Sequence, residues 1–442
     1  MNKLKLVLKK NGLILILLIL FLYYLVIAYN LKLNGSPDEL LRYKIPLYIY
    51  NHGTLPIGTD KAVMLPFGNY SYAYYPQLLG GILSAFFMKV MALFSVRSSL
   101  LVFAARWTSV VMGIVTVYCV GKSCRLLTKN NYLSCVMAII VGLLPQFVYL
   151  TAYVNNDIIA IAGVSIIIYA LLLATKNIWN YKFAIFLAIG IIICLLGYLN
   201  SVPFILFGIC YAFFILVVQI KDKKITINFG VKIVVVAITI VLICALPLYV
   251  RNYYLYHDFT GAGAFSDAYQ RWLNEGGQPT MVPYHGNLRD MIFNSDWIVT
   301  TFKSSVCLFG YMNVIPKTIY YIFYLLFFYT GLFLNGALLN INKDNKSKKL
   351  NVVFNFLMFM GLILTIFLSM YRSVTTDYQP QGRYVLTILP IIAIWWIEGI
   401  VKLEEISNLK IRVSIYIAVV IYVIVSVVCI LHYVLFNSMI IG

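Results

Sequence analysis

Charge is what this sequence has least of. Of its 442 residues only 11% are Asp, Glu, Lys or Arg, against about 25% in an ordinary soluble domain. Histidine is scarcer still: His52, His257, His285 and His432 include no pair at i, i+4, which excludes a helical histidine metal site. The eight cysteines contain no CxxC, and all but Cys307 fall in or beside apolar runs, so neither a disulfide framework nor a zinc site is indicated. Glycine pairs occur at Gly80-Gly81 and Gly276-Gly277, and neither precedes a Lys-Ser/Thr, so there is no Walker loop. No soluble domain is expected, because every polar segment is short.

What is present is apolar sequence. Hydrophobic residues make up 62% of the chain and recur in runs of about 18 or more, the length that crosses a bilayer as a helix. The pattern predicts an all-α polytopic membrane protein with about eleven spans, near 11–30, 101–121, 133–152, 157–175, 183–200, 203–220, 231–250, 318–340, 351–370, 384–401 and 413–436. The first run is too long for a signal-peptide core and has no small-residue cleavage site behind it, so it reads as a retained span.

Charge distribution sets the expected orientation. With the N-terminus in the cytoplasm, the inner segments carry 20 of the 34 basic residues and four of the fifteen acids, while ten acids fall on the outer face. Short basic loops on one side are what the positive-inside rule predicts. The net charge of +19 is therefore topological and points to no nucleic-acid partner. Residues 76–100 are apolar enough to span, but a span there would reverse the basic bias of most later loops. They are expected to lie in the outer interface, with Lys89 and Arg97 snorkelling. Outer segments are then 31–100, 251–317 and 371–383. A solvated inner linker at 341–351 divides a longer module, 1–340, from C-terminal helices, 341–442.

Candidate chemistry gathers at the outer boundary. In "LNGSPDELLRY", Asp38 and Glu39 follow the first span directly. One reading is a capped helix, with Ser36 as N-cap, Pro37 at the first helical position and carboxylates favoured in the first turn. The other is a carboxylate in a partly dry cleft acting as general base on a hydroxyl, with its neighbour a metal ligand or an arginine partner. Asn156 and Asp157 end "LTAYVNND" on the same face; they read either as a helix N-cap or as part of a site converging with Asp38. Arg251 in "LPLYVRNYYLYHDFTG" and Arg383 in "TTDYQPQGRYVLTILP" stand at the same boundary, as interfacial anchors or as ligands for an anionic head group. The tyrosines of "GNYSYAYYPQ" and "VIPKTIYYIFYLLFFY" read as an interfacial aromatic belt or as sugar-stacking platforms. The inner loops are too short for a nucleotide-sugar domain, so an enzyme working outside would need its activated substrate delivered on a lipid.

The ordered set "SPDELLRY", "YAYYPQLLGGILSAFFMKVMALF", "AARWTSVVMGIVTVYCVGKSCRLL", "LPQFVYLTAYVNND", "LPLYVRNYYLYHDFTG" and "PQGRYVLTILP" resembles the GT-C superfamily of membrane glycosyltransferases over most of residues 1–400. It is most similar to bacterial members akin to protein mannosyltransferases and the lipid A aminoarabinose transferase, and to a related family of predicted membrane proteins. The resemblance implies a GT-C-like fold with interfacial helices in the first outer loop, and an integral protein of the bacterial plasma membrane. It implies inverting transfer of a sugar from a polyprenyl-phosphate donor to a hydroxyl of a cell-envelope glycan, lipid or protein. Carried over, Asp38 is the base with Glu39 beside it, Asp157 and Asn156 position acceptor or metal, and Arg383, with Arg251, holds the lipid phosphate. A divalent cation, Mg2+ or Mn2+, is an open question: Asp157 or Glu39 could bind it, but "NND" departs from the Asp-x-Asp of the oligosaccharyltransferase branch. Two competing readings are a transporter or flippase of lipid-linked sugars, which needs charges along a midplane path, and a polysaccharide polymerase. The near absence of charge within the spans favours the enzyme.

Overall fold

The computed structural model describes residues 2–65, 71–337, 345–406 and 409–437. Regular structure among them is helical apart from isolated bridge residues, among them the pair Phe309 and Val314. In order the helices are α1 (Asn2–Asn30), α2 (Glu39–His52), α3 (Leu79–Ala92), α4 (Ser98–Thr128), α5 (Asn131–Gly142), α6 (Pro145–Thr151), α7 (Asp157–Lys176), α8 (Tyr181–Gly197) and α9 (Val202–Lys221). They continue as α10 (Ile227–Tyr256), α11 (Ala262–Asn274), α12 (Leu288–Asn294), α13 (Trp297–Val306), α14 (Thr318–Ala337), α15 (Asn345–Thr375), α16 (Leu389–Ile406) and α17 (Leu409–Ile430).

Nine helical segments among the described residues are long and apolar enough to cross a membrane, and they account for nine of the eleven expected spans. The other two differ for local reasons. The run 133–152 is broken into α5 and α6, which meet at 73°. Pro145 lacks an N–H and forces Leu144 out of the helical region (φ −59°, ψ 120°), so the helix stops and restarts. The run 183–200 becomes α8, only 17 residues, because Tyr198 is extended; at 1.5 Å per residue it is about 25 Å long, against a hydrocarbon thickness of about 30 Å. The apolar stretch after Pro76 forms α3, whose 14 residues reach about 21 Å, too short to span.

α7 is apolar all round and is the most enclosed of the spans, while α10 is almost wholly exposed at its flanks, as a lipid-facing helix is. α7 and α8 touch at Gly163 and Gly190. A Cβ on Gly163 would sit 2.6 Å from Cys194 Sγ, and one on Gly190 2.9 Å from Ile167 N, so only glycine permits this backbone approach. The main core joins α1, α4–α7, α14, α16 and α17, and a second joins α7–α9 with α15 and α16. Helices on both sides of residues 338–344 thus share the same cores. The expected linker at 341–351 lies partly outside the described residues.

At the end of the bundle where α7 begins, α2, α3, α11–α13 and the irregular segment 376–385 build a cap. Tyr284 N donates to Ser373 O (2.9 Å) and Tyr378 N to Val282 O (2.8 Å), which fixes this last segment against the loop before α12.

Candidate active site

The cap encloses a cavity of about 460 Å3. Its polar lining comes from segments distant in sequence: Asp38 just before α2 and Arg42 within it, Tyr72 and Tyr75 from the segment before α3, Asn156 before α7, Arg372 at the end of α15, and Asp377 and Tyr384 from the segment that follows.

Asp38 enters it by an unusual backbone. The expected cap by Ser36 is not formed; the helix starts two residues later, at Glu39. Asp38 takes the N-cap position in a left-handed conformation (φ 61°, ψ 2°) and its side chain caps nothing. Its carbonyl accepts from Arg42 N at 2.9 Å. Such a backbone costs a non-glycine residue about 1–2 kcal/mol, although Asp tolerates it better than most. The freed carboxylate, 26% exposed, accepts a charge-assisted bond from Arg383 Nη2 at 2.6 Å. Burial pushes the Asp38 carboxyl up, but the Arg383 and Arg42 guanidiniums and hydrogen bonds from Arg383 and Tyr72 outweigh it, holding it below the usual carboxylate value.

Its neighbour faces the other way. Glu39 is fully buried and forms a two-point ion pair with Arg106 of α4, Nε to Oε1 at 2.7 Å and Nη2 to Oε2 at 2.8 Å. Val154 N (3.2 Å) and Asn34 N (3.3 Å) donate to the same two oxygens, so the four acceptor directions of the carboxylate are taken. Arg106 spends its remaining donors on Ala28 O and Leu31 O, both at 2.7 Å, and on Lys32 O at 3.3 Å. Glu39, expected as a possible metal ligand, thus has both oxygens engaged within the protein. The pair ties the end of α1, the start of α2, α4 and the loop before α7 into one frame under Asp38.

Asp157 is the first residue of α7 and is buried, and neither of its carboxylate oxygens has a hydrogen-bond partner among the described residues. Capping is done by Asn155, whose Oδ1 accepts from Ile158 N at 3.0 Å. Asn156 lines the cavity and donates to Gly197 O (2.8 Å) and Gln77 O (3.4 Å), linking α7 to α8 and to the lead-in of α3.

Arg383 is buried in a network of its own. Besides Asp38 it donates to Gln381 Oε1 (2.6 Å) and Tyr384 OH (3.1 Å). Gly382 lets this segment press against α13, where a Cβ would lie 2.0 Å from Ser305 N. Arg251 is not brought to the cavity; it donates to Pro56 O (2.7 Å) and Leu55 O (3.3 Å), bracing the loop after α2. The structure thus gathers Asp38, Asn156, Asp157 and Arg383, turns Glu39 aside and leaves Arg251 out.

Two arginines that the sequence did not single out take the open positions. Arg42 lies over the rings of Tyr72 (4.5 Å) and Tyr198 (5.5 Å), and its buried Nε has no acceptor among the described residues. Arg372, in the last turn of α15, lines the same cavity. Neither pairs with a carboxylate among the described residues. Arg42 was detectable, since residues i and i+4 share a helix face and it stands four after Asp38. Among the described residues no three or more His, Cys, Asp or Glu converge on one point. Asp157, buried behind the cavity lining, keeps two oxygens that are unpartnered among the described residues and have the chemistry of a divalent-cation ligand.

Neither protein-family models nor curated protein sequences match this chain. Solved structures do. ArnT from Cupriavidus metallidurans in the apo state superposes with a TM-score of 0.54 at 11% identity, covering 90% of this chain and 60% of its own. The same protein bound to undecaprenyl phosphate gives 0.52 at 11% identity, over 90% and 61%. The archaeal oligosaccharyltransferase AglB from Archaeoglobus fulgidus, in complex with an inhibitory peptide and a dolichol-phosphate, gives 0.52 at 12%, over 97% and 55%. The fold is the GT-C fold. This chain spans about 55–61% of the length of those structures. At such low identity the likeness carries the architecture, and the chemistry rests on the residues in the cavity.

Proposed function

We propose that this protein transfers a sugar from a polyprenyl-phosphate donor to a hydroxyl acceptor of the cell envelope, with inversion, on the outer face of the bacterial plasma membrane, its N-terminus lying in the cytoplasm. The observation that carries the proposal is the Asp38 carboxylate lining the cavity together with two guanidiniums, Arg42 and Arg372, that make no ion pair with a carboxylate among the described residues. The two matched structures with bound lipid phosphates support this donor class by likeness of fold.

In this mechanism Asp38 accepts the proton of the acceptor hydroxyl as its oxygen attacks the anomeric carbon from the face opposite the phosphate. The bond from that carbon to the phosphate oxygen breaks, and its electron pair stays on the polyprenyl phosphate. Arg42 and Arg372 lie where that charge develops, which is where fixed cations lower a barrier. Arg383 keeps Asp38 ionised and aimed, and Asn156 borders the acceptor side. A divalent cation beside the phosphate would be held by Asp157 and would add neutralising charge. Glu39 acts in this scheme as a frame residue, and Arg251 as a loop brace.

Replacing Arg42 or Arg372 with Gln is expected to raise KM for the lipid donor at least tenfold, since a charge-assisted contact contributes about 1.5–3 kcal/mol. Initial rates over a donor series in proteoliposomes measure this, and an unchanged KM would place the phosphate elsewhere.

The pH dependence has a definite sign. Because Asp38 is held below the ordinary carboxylate value of about 3.9, the acid limb of kcat/KM falls below about pH 4. Arg383→Ala removes the strongest lowering influence while burial still acts to raise the carboxyl, so the acid limb moves upward. A pH–rate profile of the two proteins, carried far enough to the acid side to reach each limb, checks both expectations.

A further inference from the structure

A chain of hydrogen bonds leads away from Arg383 along the irregular segment 376–385. Arg383 Nη2, which holds Asp38 Oδ2 at 2.6 Å, also donates to Tyr384 OH at 3.1 Å. The Tyr384 hydroxyl donates to Gln379 Oε1, and Gln379 Nε2 donates to Asp377 Oδ2. Asp377 ends the chain by accepting from Val282 N on its other oxygen, Oδ1, at 3.0 Å. Val282 follows Thr280 and Met281, which line the cavity. The chain thus runs from a loop of the cavity wall to the carboxylate assigned as base.

Its two ends force its direction. A guanidinium only donates and an ionised carboxylate only accepts, whereas a tyrosine hydroxyl and a carboxamide can each do both. With Arg383 at one end and Asp377 at the other, the Tyr384 hydroxyl points its hydrogen at Gln379 and leaves a lone pair for Arg383. Gln379 accordingly turns its amide nitrogen to Asp377. Bonds aligned in this way polarise one another. The backbone around them is held as well. Gln379 N donates to Ser373 Oγ (3.3 Å), which also accepts from the buried Trp297 Nε1 (2.9 Å). The Arg383 guanidinium lies 5.0 Å from the centre of the Tyr384 ring.

We propose that Asp377 is a positioning residue for the transfer reaction: as the acceptor-only end of the chain it orients Gln379 and Tyr384, which seat Arg383 and so aim the Asp38 carboxylate at the acceptor hydroxyl. This rests on the glycosyltransfer reading above. Asp377 and Arg372 line the same cavity, where a second free carboxylate would repel a lipid phosphate; engagement of both Asp377 oxygens within the protein fits a role in orientation better than one in donor binding. An asparagine at 377 has one oxygen for two donors, so either Val282 N or Gln379 Nε2 loses its acceptor.

Initial rates in proteoliposomes test this, with the polyprenyl-phosphate lipid fraction of host membranes as donor and envelope material from cells lacking the gene as acceptor. Asp377→Asn, Gln379→Leu and Tyr384→Phe are each expected to lower kcat about tenfold, the factor that roughly 1.4 kcal/mol on a barrier produces, with KM for the donor unchanged. In an Arg383→Ala background the same three changes are expected to add no further loss, because they act through Arg383. Rates are referred to folded protein. Tyr384→Phe keeps the ring on Arg383 and removes only the hydroxyl, so it decides the matter if Asp377→Asn loosens the Val282 loop. Unchanged kcat in Gln379→Leu and Tyr384→Phe, or losses that multiply with that of Arg383→Ala, overturn the proposal while leaving glycosyltransfer standing. A donor KM that rises with kcat intact also overturns it, by putting Asp377 against the substrate. No transfer by the wild-type protein overturns the glycosyltransfer reading itself, and this inference with it.

Discussion

Asp38→Asn is expected to lower sugar transfer by about 10²–10⁴-fold, the contribution of a positioned general base, while leaving the folded protein intact. The substitution is nearly isosteric and removes only the ability to accept a proton. Asn is also, with Asp, among the residues that tolerate the left-handed region that position 38 occupies at φ 61°. Its amide oxygen can still accept from Arg383 Nη2, so the contact between α2 and the 376–385 segment survives in weaker, uncharged-acceptor form. Asp38→Ala is a poorer test, because alanine at this backbone is strained and the two effects would be confounded. Rates in proteoliposomes, compared at equal amounts of folded protein, give the result. Transfer within a few fold of the wild type would remove Asp38 from the base role.

The second large effect is on stability. Glu39→Gln and Arg106→Ala are each expected to destabilise the protein by about 3–5 kcal/mol, because either change leaves a buried charge or buried carbonyls without a partner. Arg106 is 2% exposed and Glu39 0%, so solvent cannot take over the lost contact. Arg106 also closes the carbonyls of Ala28 and Leu31 at the end of α1, which its loss would leave unpaired, whereas Lys32 O keeps its bond from Gly35 N. Thermal denaturation in detergent, followed by the loss of monodisperse protein, measures the drop. A double change, Glu39→Gln with Arg106→Met, should recover part of it, since an apolar replacement removes the unpaired charge; recovery is incomplete because the α1 carbonyls stay unpaired. Activity will fall in these variants in proportion to folded protein, unlike Asp38→Asn, where the fold remains and turnover goes. If Glu39→Gln melts like the wild type and loses turnover alone, Glu39 acts on substrate and the frame role is wrong.

These two adjacent carboxylates show what a sequence can and cannot convey. The apolar runs were plain, because lipid demands about 20 apolar residues whatever the partners, and nine of the eleven expected spans are helices of that kind. The break before Pro145 follows from proline's own geometry, but the uninterrupted hydropathy around it masks the break. Asp38 could be singled out from its place beside a span. Its conformation could not, because the Ser-Pro-Asp-Glu pattern favours a cap at Ser36, and the partner that the Asp38 carboxylate meets is an arginine 345 residues away. Likewise Glu39 and Arg106 are 67 residues apart on different helices, and nothing local distinguishes a carboxylate that will be locked from one that will be free. Arg42 was legible by helical spacing from Asp38. Arg372 was not, since an arginine at the end of an apolar helix is the ordinary interfacial anchor until a cavity is found beside it.

The central claim is that Asp38 drives transfer of a lipid-borne sugar to the envelope. Its most direct test is mass spectrometry of envelope glycans from cells lacking the gene and from the same cells carrying either the wild-type or the Asp38→Asn protein at matched membrane levels. One sugar substituent is predicted to vanish in the deletion, return with the wild-type protein and stay absent with Asp38→Asn. Identical glycans in all three strains, or restoration by Asp38→Asn, would contradict the account.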